Sequence, residues 1–169
     1  MAGVVELDRL GRSEFTAVFK AHHREILNYL YRLSGGDRTL AEDLTQQVFL
    51  NFWTHRESYD RERPPLPWLL TVARNAWLNA SRARKATIPL TDTPGASAPG
   101  SSNDLQESLA RALGRLPEPE REAFILSRYI GLKYREIAEL LSVSIKTVEA
   151  RMSRALEVLS VELKDFLDR

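Results

Sequence analysis

Cysteine is absent from the 169 residues, which excludes disulfides, thiolate metal sites and cysteine nucleophiles outright. Histidine is scarce. His22, His23 and His55 are the three, and no pair four residues apart brackets a glutamate in the manner of a metalloprotease. No metal or other cofactor is expected. No apolar run is long enough to cross a bilayer, and the opening MAGVVELDRLGRSEF lacks the basic-then-apolar order of a signal peptide. The expected location is therefore cytoplasmic, without membrane insertion. Strand-like alternation of apolar and polar residues is missing too, and with it any strand from which a glycine-rich phosphate loop could spring. Pairs of carboxylates such as Glu42-Asp43 and Asp60-Glu62 are ordinary surface in a chain with 28% charged residues. With no reactive groups converging, the expectation is that the chain is not an enzyme.

What is present suits a folded helical protein. Hydrophobic residues make up 43%, enough to bury a core. The net charge of +1 hides an uneven distribution: from Pro64 to Thr91 there is no acid, while Arg74, Arg82, Arg84 and Lys85 fall close together. Such a cluster is an electrostatic footprint for phosphate, or else the solvated C-terminus of a helix, where cations are favoured.

The sharpest break in composition is TIPLTDTPGASAPGSSN, residues 87–103, with Ile88 and Leu90 as its only large apolar groups. It reads as a flexible linker, because so little burial cannot offset the ordering entropy. Residues 1–86 and 104–169 then form two small helical domains of an all-α protein. In the first, one helix opens near Ser13 as N-cap and stops at Gly35-Gly36; a second runs from Asp37 through Phe52 and Trp53. A third carries Pro67 in its first turn and repeats Leu69, Val72, Ala73, Ala76 and Ala80 along one face, with Thr71, Asn75, Asn79 and Arg82 on the other. Beyond the linker come helices over Leu105 to Leu116 and Pro119 to Tyr129. Then YREIAELL, the turn SVS and IKTVEARMSRALEVL form two helices joined by a very short connection. That is a helix-turn-helix, whose second member commonly lies in the DNA major groove.

In this motif Ile137, Ala138 and Leu141 are placed to pack on Val143 and Val148, and Ser144 to cap the second helix, leaving exposed N–H groups toward phosphate. Val148, Met152, Ala155 and Leu159 share one side. Lys146, Ala150 and Ser153 face away, and Thr147, Arg151 and Arg154 form a flank. A plain amphipathic hairpin gives the same apolar stripe; the short turn and the small Ala138 opposite Val148 favour DNA reading.

Three blocks, AEDLTQQVFLNFW (41–53), PWLLTVARNAWLNASRARK (67–85) and LPEPEREAFILSRYIGLKYREIAELLSVSIKTVEARMSRAL (116–156), resemble a bacterial RNA polymerase sigma factor of the extracytoplasmic-function family. The resemblance covers nearly the whole chain. It implies region two and region four domains. Asp43, Gln46 and Gln47 match the face that docks on the beta-prime coiled coil of core RNA polymerase, with Gln47 standing where the family usually has glutamate. Residues 58–66 and the third helix match the part that opens promoter DNA and holds the minus-ten strand. There Tyr59 or Trp68 is expected to stack a base, Tyr59 first because the tryptophans are more often core, and Thr71, Asn75, Asn79, Arg82, Arg84 and Lys85 to contact bases and backbone. Pro64, Pro65 and Pro67 give this loop more proline than the family pattern, which stiffens it.

By the same resemblance the last helix reads the minus-thirty-five element through Ser144, Lys146, Thr147, Ala150, Arg151 and Arg154. Ser142 occupies the turn position where many helix-turn-helix proteins have glycine. Region four also implies docking on the polymerase beta flap, and the family implies sequestration by an anti-sigma factor. The implied function is promoter-directed initiation with melting of the minus-ten segment. The alternatives are a decoy that titrates an anti-sigma factor without touching DNA, and a stand-alone repressor using the C-terminal motif. Persistence of Arg82, Arg84, Lys146 and Arg151 argues against the first, and the block at 41–53 against the second.

Overall fold

In a computed structural model the described residues, 2–87 and 104–167, form seven helices and no strand. They are α1 (Ala2–Leu33), α2 (Arg38–His55), α3 (Pro65–Thr87), α4 (Asp104–Arg115), α5 (Glu118–Arg128), α6 (Tyr134–Leu141) and α7 (Ile145–Leu167). The chain divides into two compact units, one of Met1–Leu30 and Thr39–Pro89, the other of Tyr31–Arg38 and Leu90–Arg169. From residue 88 onward the expected linker lies outside the described residues.

In the first unit Ile26, Tyr29 and Leu30 of α1 are buried, as are Ala41, Leu44, Val48, Phe49 and Phe52 of α2 and Leu69, Leu70, Ala73 and Trp77 of α3. An aromatic row joins the helices. Phe15 of α1 lies 6.1 Å from Phe52 and 5.2 Å from Trp53 between ring centroids, and Phe19 lies 4.9 Å from Phe49. Phe52 in turn meets Trp68 of α3 at 5.5 Å, edge to face. Such pairs add about 0.5–1.5 kcal/mol each beyond the area they bury. Buried Thr45 leaves no unsatisfied hydroxyl, because its Oγ1 donates to the Ala41 carbonyl at 2.6 Å.

One boundary differs from the sequence expectation. α1 begins at Ala2 rather than at Ser13. Residues 2–12 hold no proline, and Ser13 has threonine rather than glutamate three residues on, so no capping box favours a start there. Thr16 Oγ1 instead donates to the Arg12 carbonyl at 2.7 Å, one turn back within a continuous helix. α3 begins at Pro65, which puts Pro67 in its first turn as expected, and proline suits the first helical position because it has no N–H to lose.

In the second unit α7 packs on α4, α5 and α6. Its Val148, Met152, Ala155 and Leu159 are all buried, with Ile137, Ala138 and Leu141 of α6 and Ile125 and Leu126 of α5. Arg121 of α5 donates from Nη2 to the carbonyls of Gly114 and Leu116, fastening the end of α4. Arg115 pairs with Glu162, tying α4 to α7 a second time.

Candidate nucleic-acid interface

The helix-turn-helix is set by local hydrogen bonds that its sequence supplies. At the start of α6 the Glu136 carboxylate accepts the Lys133 backbone N–H at 2.7 Å, using an N–H that the helix itself leaves unpaired. At its end Ser142 is left-handed, φ 54° and ψ 45°, the one non-glycine residue at positive φ among the described residues. The Val143 N–H then closes onto the Ala138 carbonyl at 3.0 Å and turns the chain into α7. Ser144 caps α7: its Oγ accepts the Thr147 N–H at 3.1 Å and lies 2.9 Å from Thr147 Oγ1. Because Ser142 pays a steric penalty that glycine avoids, Ser142→Gly is expected to stabilise the protein by about 1 kcal/mol. Denaturant unfolding checks it, the midpoint rising with an unchanged slope.

Lys146, Ala150 and Ser153 are exposed on the side of α7 away from the core, as the periodicity implies, and Arg151 is half-buried beside them. Glu149, which sequence reasoning passed over, shares that exposed surface. Its spacing of three from Lys146 was the available signal. Arg154 is 68% exposed along its side chain, yet its Nη1 lies 3.3 Å from Oε1 of Glu120 on α5.

On the first unit the outward residues fall on two helices and one loop. Asp43, Gln46 and Gln47 of α2 are exposed, and with Leu50 they form a stripe at helical spacing. Leu50 was not singled out from the sequence, yet 65% of it is exposed. On α3, Thr71, Asn75, Asn79 and Arg82 form an exposed row, with exposed Arg84 and Lys85 in its last turn. Thr71 Oγ1 donates to the Pro67 carbonyl at 2.9 Å, so its hydroxyl is turned back on the helix.

The loop between α2 and α3 carries much of its own order. Asp60 Oδ1 accepts the Glu62 N–H at 3.1 Å, Arg63 Nε lies 3.3 Å from Asp60 Oδ2, and Arg61 Nε lies 3.2 Å from Glu14 Oε2 of α1. Tyr59 is half-buried, edge to face with Phe52 at 5.5 Å and with Trp68 at 6.3 Å, and its hydroxyl donates to the Arg63 carbonyl. Burial first, then the carboxylates of Asp60 and Glu14, raise its pKa above the ordinary tyrosine value, so it remains a donor. Tyr59 thus supports the loop as well as being the expected base-stacking ring. Trp77 is buried, and Trp53 and Trp68 are half-buried. Arg56 lies over the Trp53 ring, 3.9 Å from its centroid. Among the described residues no cluster of carboxylates and histidines could hold a metal ion, and no helix is long and apolar enough to cross a membrane.

Two sequence families account for most of the chain: residues 18–87 match Sigma-70 region 2, and residues 106–159 match Sigma-70 region 4. The RNA polymerase sigma factor CarQ of Myxococcus xanthus is 33% identical over 151 residues, covering 86% of each chain. The ECF RNA polymerase sigma factor SigL of Mycobacterium tuberculosis is 32% identical over 157 residues, covering 88% of each. The chain belongs to the extracytoplasmic-function family of sigma factors. Sigma factors of this family are transcription initiation factors. The fold agrees. Among solved structures, the sigma factor RpoE of Bartonella quintana, crystallised with the anti-sigma factor NepR, superposes with a TM-score of 0.75 at 26% identity, over 89% of this chain and 97% of that one.

Proposed function

We propose that this sigma factor binds core RNA polymerase, directs it to particular promoters and helps to melt the minus-ten segment, contributing no catalysis of its own. The working parts are residues 1–86 and 104–169, joined by a linker over 87–103. α2 docks on the beta-prime coiled coil through Asp43, Gln46 and Gln47, with Leu50 as an apolar anchor among them. The loop around Tyr59 and the α3 row of Thr71, Asn75, Asn79 and Arg82, followed by Arg84 and Lys85, take the unpaired minus-ten strand. α7 reads the minus-thirty-five element. The second unit also rests on the beta flap. An anti-sigma factor is the expected regulator, a reading supported by the NepR partner of the similar RpoE. The observation that carries the proposal is one chain with two outward surfaces: the α2 stripe with an exposed leucine, and an α7 that buries Val148, Met152, Ala155 and Leu159 while Lys146, Ala150 and Ser153 stay exposed.

Run-off transcription with purified core polymerase and a promoter library tests it. Promoter-dependent transcripts sharing two spaced elements are the expected result. A protein that gives none, and still binds an anti-sigma factor, is the decoy instead. Within the upstream element, Arg151→Ala is expected to cost about 1–3 kcal/mol of discrimination at one base pair, the value of a single base contact. Equal loss on every sequence would show that Arg151 touches only phosphate.

A further inference from the structure

Arg154 and Glu120 link the DNA-facing side of α7 to its supporting helix. Glu120 stands in the first turn of α5, where the helix dipole favours a carboxylate, and only 10% of its side chain is exposed. The carboxylate faces the Arg154 guanidinium, with 3.3 Å between Oε1 and Nη1. A guanidinium has five N–H donors in a planar fork, so a contact at one nitrogen restrains the group on that side and leaves the other donors free for another acceptor. Arg154 lies eight residues beyond Lys146, about 12 Å along the helix axis. The base-reading part of a recognition helix is its N-terminal portion, which on α7 would run as far as Arg151, so Arg154 falls past it, where the duplex backbone passes.

We propose that Glu120 is a positioning residue for promoter recognition. It holds the Arg154 guanidinium in one orientation toward a backbone phosphate, and its charge keeps Arg154 from taking phosphate indiscriminately. The inference rests on α7 reading DNA. Without Glu120 the cognate complex has to order a loose arginine on binding, while non-specific complexes gain an unopposed cation. Both changes lower the ratio of cognate to non-cognate affinity.

The test uses the full chain assembled with core RNA polymerase. Its probes are a duplex carrying the upstream element recovered from the promoter library and a scrambled duplex of equal length, each titrated across a salt series. Glu120→Gln is expected to lower the cognate-to-scrambled ratio about five- to tenfold, within the range for directly coupled neighbours, and to steepen the salt slope on the scrambled duplex by about one. In an Arg154→Ala background the same change is expected to do nothing further to the ratio. An unchanged ratio in E120Q, or a fall that persists undiminished beside R154A, would overturn the proposal. A purely structural Glu120 would shift the unfolding temperature and weaken both probes alike, which also overturns it. Should E120Q unfold the second unit, Arg154→Lys decides, because it keeps the charge and the buried partner but loses the fork. A lowered ratio in R154K supports the proposal, and a wild-type ratio refutes it. Arg151→Ala separates the two levels: if it lowers the ratio and E120Q does not, this inference alone fails. If neither does, and R151A binds both probes as tightly as wild type, DNA contact by α7 fails first.

Discussion

Leu50→Glu is expected to weaken assembly with core RNA polymerase by about thirtyfold or more, while shifting thermal unfolding by no more than a few degrees. Leu50 is 65% exposed on α2, in a stripe with Asp43, Gln46 and Gln47. The buried residues of that helix, Leu44, Val48, Phe49 and Phe52, lie on its other side. Losing the leucine therefore removes little packing, and glutamate is nearly as good a helix former. At an interface the balance reverses. Burying a leucine side chain is worth about 1.5–3 kcal/mol, and an unpaired carboxylate buried in its place adds to the loss. A factor of thirty is about 2 kcal/mol. Competition against labelled wild-type protein for core polymerase measures it. Equal competition by the variant would remove α2 from the polymerase interface.

Leu50 also shows where sequence reasoning stops. Helical register is local, so the periodicity that buries Val148, Met152, Ala155 and Leu159 was legible, and all four are buried. Chain reversals were legible because backbone sterics decide them: Gly35, Gly36 and Gly131 have positive φ, as does the serine in the SVS turn. The helix-turn-helix and the cap by Ser144 follow from the same local rules. Partners from other helices do not. Glu120 and Arg154 are 34 residues apart, and only the crossing of α5 on α7 brings them to 3.3 Å. The Tyr59 hydroxyl bond to the Arg63 carbonyl depends on loop geometry that no periodicity encodes. Leu50 was within reach, at positions 43, 46, 47 and 50 of one stripe, but a leucine beside Phe49 and Phe52 is easily credited to the core.

Phe52→Ala is expected to be the most destabilising single change in the first unit. Phe52 is buried, 3% exposed, and its ring lies 6.1 Å from Phe15, 5.5 Å from Tyr59 and 5.5 Å from Trp68. It therefore touches α1, the loop before α3, and α3 itself. Truncating a buried phenylalanine costs about 3–5 kcal/mol, against a total stability of about 5–15 kcal/mol for a domain. For a unit of this size the unfolding temperature should fall by about 12–40 °C. Calorimetry checks this, and a fall under about 5 °C would show that the aromatic row contributes little. Phe52→Leu separates packing from placement, since it retains most of the volume at a cost of about 1.5 kcal/mol or less. It still removes the ring face and edge that seat Tyr59. If the loop must be held for the minus-ten strand to be captured, F52L keeps polymerase binding through α2 but loses promoter opening, read as reactivity of unpaired thymines to permanganate. Normal opening in F52L would mean that Tyr59 is seated well enough by Trp68 and the Arg63 carbonyl alone.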